Sequence, residues 1–103
     1  MIVEGAHRLA FAAAPPDIRA GAPFDLRISI CGPEGPFAGG LAVDADMPAH
    51  GHGMNYRPRV RMTAPGHFVA EGLMFHMRGA WRFRFSLATP LGTVRLSQER
   101  SVD

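Results

Sequence analysis

The chain has 103 residues, 47% of them hydrophobic and 19% charged, a balance that suits one globular domain spanning residues 1–103 around a single core. Eleven arginines against nine acids leave a net charge of +2 with neutral histidines, too small an excess for a nucleic-acid binder, and no exposed aromatic pattern accompanies it. The single cysteine, Cys31, excludes an internal disulfide and a Cys-x-x-Cys metal or redox site, and no apolar run approaches the length of a membrane span.

The first element is "RLAFAA", a strand with Leu9 and Phe11 inward. With the prolines that follow, it has the charged, apolar and small residues of a secretory leader, but the apolar part is too short for one. In "PFDLRISIC", Phe24, Leu26, Ile28 and Ile30 share one face, while Asp25, Arg27 and Ser29 share the other. "LAVDADM" alternates in the same way, with Leu41, Val43, Ala45 and Met47 inward. "RVRM" and "HFVAEGL" form a hairpin around "APG", which puts Val60, Met62, Phe68 and Ala70 on the core side. "WRFRFSL" places Trp81, Phe83, Phe85 and Leu87 inward, and "GTVRLSQ" returns beside it through "TPLG" with Val94 and Leu96 inward. Gly- and Pro-rich turns punctuate the strands, and nine prolines oppose long helices. Seven short strands in one domain predict an all-β fold, an immunoglobulin-like antiparallel β-sandwich. A small barrel is the alternative.

The stretch "MPAHGHGMNYRP" carries the chemistry. His50, His52 and Met54 are spaced at i, i+2 and i+4, so an extended segment points all three the same way. Gly51 and Gly53 leave the backbone free to fold around a small guest. Met47 ends its strand on the inward parity, and Pro48 stops the pairing, which places the motif at one rim. A second cluster, Met74, His76 and Met77 in "GLMFHMRGAW", could reach the same rim. Imidazole with thioether is a ligand set for a soft metal and favours Cu(I) over zinc, calcium or magnesium. Thioether also has no thiol to lose to disulfide formation, so such a site survives in an oxidising compartment.

Each of these residues has a plainer reading. Met62 and Met74 fit as gap-fillers in the core, and Met47 and Met77 fit either the core or a ligand set. His7 and His67 read as surface strand positions. His76 could simply bond the backbone, and the 50–54 run could be a glycine-rich tip. Arg57, Arg59, Arg61, Arg82 and Arg84 alternate along two strands. They suggest a basic strip for docking an acidic partner, or solvated positions that resist edge pairing. Asp44 and Asp46 are outward residues suited to pair with those arginines rather than to act as catalytic acids. No nucleophile elbow, phosphate loop or paired-acid spacing supports an enzyme. A blue-copper centre needs Cys and Met together in a late loop, whereas Cys31 is early and reads as a small buried or rim thiol.

The runs Met47-Pro48-x-His50-x-His52-x-Met54 and Gly72-Leu73-x-Phe75-x-Met77-x-Gly79-x-Trp81 resemble the YtkA-like domain, related to the FixH-like proteins, and the resemblance extends from about Arg8 to Leu96. It implies an immunoglobulin-like sandwich and a role in copper binding or delivery to a respiratory oxidase, in a bacterial exported or membrane-anchored protein. No leader or anchor is evident in this sequence. A periplasmic location therefore rests on the resemblance and the ligand chemistry, and membrane association would come through a partner or a separate anchor. The expectation is a Cu(I) chaperone or scavenger exchanging metal with a copper-donor or copper-acceptor protein. His52, Met54 and Met77 would be core ligands, with Met47, His50 and His76 as candidates to complete the site. The alternatives are a non-catalytic module docking on a membrane complex, and a Cu(II) or Zn(II) binder using histidines alone.

Overall fold

Every stretch that alternates in the sequence is a strand in the computed structural model, which describes residues 1–103. In chain order the strands are β1 (Ile2–Glu4), β2 (His7–Ala14), β3 (Phe24–Gly32), β4 (Gly35–Pro36), β5 (Leu41–Met47), β6 (His52–Gly53), β7 (Arg59–Ala64), β8 (His67–Leu73), β9 (Gly79–Thr89) and β10 (Gly92–Val102). The seven strands of six or more residues are the seven expected from alternation. The other three have only two or three residues, too few for a period of two to stand out.

The strands form two antiparallel sheets of a β-sandwich. The larger runs β1-β2-β3-β8-β7, with β4 beside β3, and the smaller runs β10-β9-β5-β6. Inward residues from both sheets make one cluster of 21 buried hydrophobic side chains, and no polar side chain is buried. Its centre is aromatic. Phe75 stacks on Trp81 with ring centres 4.2 Å apart, and Phe24, Phe83 and Phe85 continue the packing. Phe11, half-buried, fills in against Phe83 and Phe85 at 5.2 and 5.1 Å. No helix is long and apolar enough to cross a membrane.

Met62 departs from its expected place. It lies opposite Phe68 and so shares the inner-face parity, yet it is 42% exposed. The reason is position: β7 is the edge of its sheet. A register shift between Met62 and Ala64 also bends the strand there. Cys31 is exposed on the outer parity of β3, so it is not a buried thiol.

Topology sets where the loops gather. β5 and β9 are antiparallel neighbours with Asp46 opposite Arg82. The end of β5 and the start of β9 therefore lie at the same rim. The chain crosses between the sheets twice there, at 54–58 and at 74–78. The β2–β3 connection arrives beside them, with the Gly21 amide donating to the Phe75 carbonyl at 2.7 Å. β3 runs from this rim, where Phe24 faces Leu73, to Cys31 at the opposite end. At about 3.3 Å per residue that separation is roughly 20 Å.

Candidate metal site at the sandwich rim

Residues 47–52 form a tight hairpin rather than an extended run. Met47 pairs with His52, and the Met47 carbonyl accepts from the amides of His50 and Gly51 at 3.1 and 2.9 Å. Gly51 closes the turn at φ +65°, a conformation that glycine adopts without strain. His50 therefore sits in the turn and does not share a strand face with His52, as extended spacing would require. The turn nevertheless keeps it near, with the His50 and His52 rings 6.2 Å apart.

His52 lies directly across from the buried Met47, and opposite residues of an antiparallel pair project to the same face. His52 therefore faces the inner side of the sandwich. Because β6 is the edge of the smaller sheet, His52 is exposed there and not enclosed by the other sheet. What meets it is the 74–78 crossing: the His52 and His76 rings are 6.1 Å apart and nearly perpendicular. Two segments distant in sequence thus bring an imidazole each to one place.

The His76 arm is held on both sides. Phe75, fully buried, stacks on Trp81, and its carbonyl accepts from Gly21. The Met77 carbonyl accepts from the Trp81 indole Nε1 at 3.0 Å. His76 itself is exposed and stands edge-on to Trp81, with ring centres 5.5 Å apart. Sequence patterning predicts Trp81 as core but not this fixing of its neighbours.

The methionines divide by depth. Met47 is 1% exposed and reaches across Gly79, so closely that a Cβ on that glycine would come within 2.5 Å of the Met47 Cε. Met54 and Met77 are half-buried and pack on the edge of the core, and the Met54 amide prolongs the pairing by donating to Ala45 at 3.2 Å. Gly79 has a part in shaping this rim that patterning missed. Its place in the Gly-x-Trp run was the available signal.

No three imidazole, thiol or carboxylate groups converge anywhere in the chain. The donors this rim presents are imidazole, from His50, His52 and His76, and thioether, from Met47, Met54 and Met77. Two imidazoles bound to one ion at about 2 Å have ring centres roughly 5–6 Å apart, close to the 6.1 Å between His52 and His76.

The five arginines do not make one strip. Arg57, Arg59 and Arg61 lie on or before β7 in the larger sheet, with Arg61 Nε bonded to Glu71 at 3.0 Å. Arg82 and Arg84 lie on the outer face of the smaller sheet. Arg82 forks onto both Asp46 oxygens at 3.2 and 3.1 Å, and Arg84 reaches Asp44 at 3.3 Å. The hydrogen bond to Asp46, then its charge and that of Glu99, raise the Arg82 guanidinium above its ordinary pKa. This pair ties the end of β5 to the start of β9, directly behind the rim. Two shallow surface depressions, of about 540 and 420 Å³, lie away from it, one around Ala10, Ser29 and His67 and the other around Ser86, Arg84 and Arg95.

No protein family matches the chain, and no curated protein does either. Among solved structures, the crystal structure of a DUF4426 family protein from Pseudomonas aeruginosa matches with a TM-score of 0.66. The match covers 99% of this chain and 96% of that one at 10% identity. A likeness at that identity is one of fold.

Proposed function

We propose that this domain binds one Cu(I) ion at the rim, through His52 and His76 with thioether from Met54 and Met77, and passes it to or from another copper protein. The observation that carries the reading is the 6.1 Å approach of His52 to His76. Exposed, strongly hydrated side chains do not need to meet there for the fold's sake, since the core beneath is complete without them. The methionine-rich surroundings select for a soft ion. Met47 lies beneath the pair as a further sulfur, and His50 stands outside it.

Openness suits transfer rather than storage. His50, His52 and His76 are all exposed, so the ligands of a receiving protein can reach the ion before the donor ligands release it. The resemblance to the YtkA-like and FixH-like proteins, and the absence of any need for a thiol, favour a periplasmic setting and a respiratory oxidase as the eventual recipient. The test is titration of the full chain with Cu(I) in competition with a chromogenic chelator, alongside Cu(II) and Zn(II). The reading predicts one Cu(I) per chain, held more tightly than either divalent ion. Equal or tighter Zn(II) binding would favour a site built on histidine alone. No metal binding at all would favour a non-catalytic docking module.

A further inference from the structure

We propose that His50 and His52 form an outer acceptor pair for Cu(I), and that the ion moves from it to the inner pair, His52 and His76, by exchange of one ligand. The proposal rests on the Cu(I) reading above and adds a route to it.

The geometry is a chain of three imidazoles with His52 in the middle. The ring separations are 6.2 Å from His50 to His52 and 6.1 Å from His52 to His76. Yet the three do not gather as a cluster able to hold one ion together. The arrangement is therefore two overlapping pairs with a shared member, not one three-nitrogen site. His50 lies in the exposed turn at the tip of the β5–β6 hairpin, while His76 stands edge-on to Trp81.

The pairs differ in what surrounds them. Met54 follows His52 by two residues on the same strand parity, and Met77 is next to His76. Sulfur beside His52 serves both pairs, whereas Met77 adjoins the inner pair alone, because His50 stands in the Pro48–Gly51 turn, which has no sulfur. Cu(I) is accordingly more stable at the inner position. In the transfer step the bond from copper to the His50 nitrogen breaks as a bond to the His76 nitrogen forms, and His52 stays bound throughout. Copper remains monovalent, and with neutral imidazoles no proton or electron moves.

Such a relay residue changes rates without changing the end state. Removing His50 should slow uptake and release by the same factor and leave their ratio intact. Removing His76 should weaken the final site itself.

The experiment is stopped-flow transfer of Cu(I) from a chromogenic chelator to the full chain, paired with equilibrium competition, for the wild type, His50→Ala, His50→Asn and His76→Ala. Both His50 variants are expected to slow uptake by roughly tenfold while shifting the dissociation constant less than about threefold, because the final ligands are untouched. His76→Ala is expected to weaken binding by at least about tenfold, the lower end of losses seen even for residues outside the coordination sphere. Thermal melts showing that the exposed His50 variants fold normally accompany the comparison. If His50→Ala weakens equilibrium binding as much as His76→Ala, the three histidines form one site and the relay is overturned. If it changes neither rate nor affinity, His50 is a bystander and the relay is again overturned. If the wild-type chain takes no Cu(I) from the chelator, the Cu(I) reading fails and the relay with it.

Discussion

Replacing Gly79 by alanine tests the packing under the rim. Gly79 has φ +137°, and holding a side chain in that region costs about 1–3 kcal/mol. The new methyl would also come within 2.5 Å of the Met47 Cε, driving that side chain off its rotamer at a cost of about 0.5–1.5 kcal/mol. Together these give a destabilisation of about 1.5–4.5 kcal/mol. Met47→Ala alone should cost about 2–5 kcal/mol as a cavity in the core. In the double variant the obstacle is gone, so only the backbone share of the Gly79 penalty remains. Its total loss should therefore fall about 1 kcal/mol short of the sum of the single losses. Urea melts followed by the fluorescence of the sole tryptophan, Trp81, measure all three, provided the slopes with denaturant agree. A loss below about 0.5 kcal/mol for Gly79→Ala, or strict additivity in the double variant, would show that Met47 does not cross Gly79.

Phe83, fully buried and in contact with the rings of Phe11, Phe24, Phe75 and Phe85, should cost about 3–5 kcal/mol as Phe83→Ala; a loss under about 1 kcal/mol in the same melts would reverse the assigned strand face. Met54→Ala should weaken Cu(I) far more than Cu(II), because the lost donor is soft, whereas His52→Ala should weaken both; chelator competition in each oxidation state decides, and equal losses from Met54→Ala would remove sulfur from the site. Cys31→Ser should leave Cu(I) affinity unchanged, since Cys31 lies at the far end of β3; a marked loss would implicate the thiol.

How much of this was legible in the sequence follows from what period-two patterning can see. It reports which face a strand residue takes, and Leu26, Val43, Phe83 and Leu87 are buried as their parity requires. It does not report which strand lies at a sheet edge, and Met62, on the edge strand β7, has inward parity and is nonetheless exposed. Extended geometry was the wrong template for His50 because Pro48 and Gly51 turn the chain within four residues, and the positive φ of Gly51 has no signature in alternation. The meeting of the 50–54 and 74–78 segments depends on β5 lying antiparallel beside β9. That pairing is a long-range choice, and composition could only suggest it through matching Met and His content. The arginines read as one strip because they alternate in two runs, but alternation cannot say that the runs belong to different sheets. The pairing of Asp46 and Asp44 with Arg82 and Arg84 was readable, since all four are outward residues on strands that had to neighbour something.

Whether one Cu(I) joins the two rim segments is read most directly by NMR of the chain carrying labelled methionine methyls and histidine ring nitrogens, titrated with Cu(I). The methyls of Met54 and Met77 and the rings of His52 and His76 should shift together and reach their end point at one equivalent. The exposed Met1 and Met62, together with His7 and His67 far from the rim, should stay in place as internal controls. Shifts confined to residues 47–54, with His76 and Met77 unmoved at saturation, would contradict it.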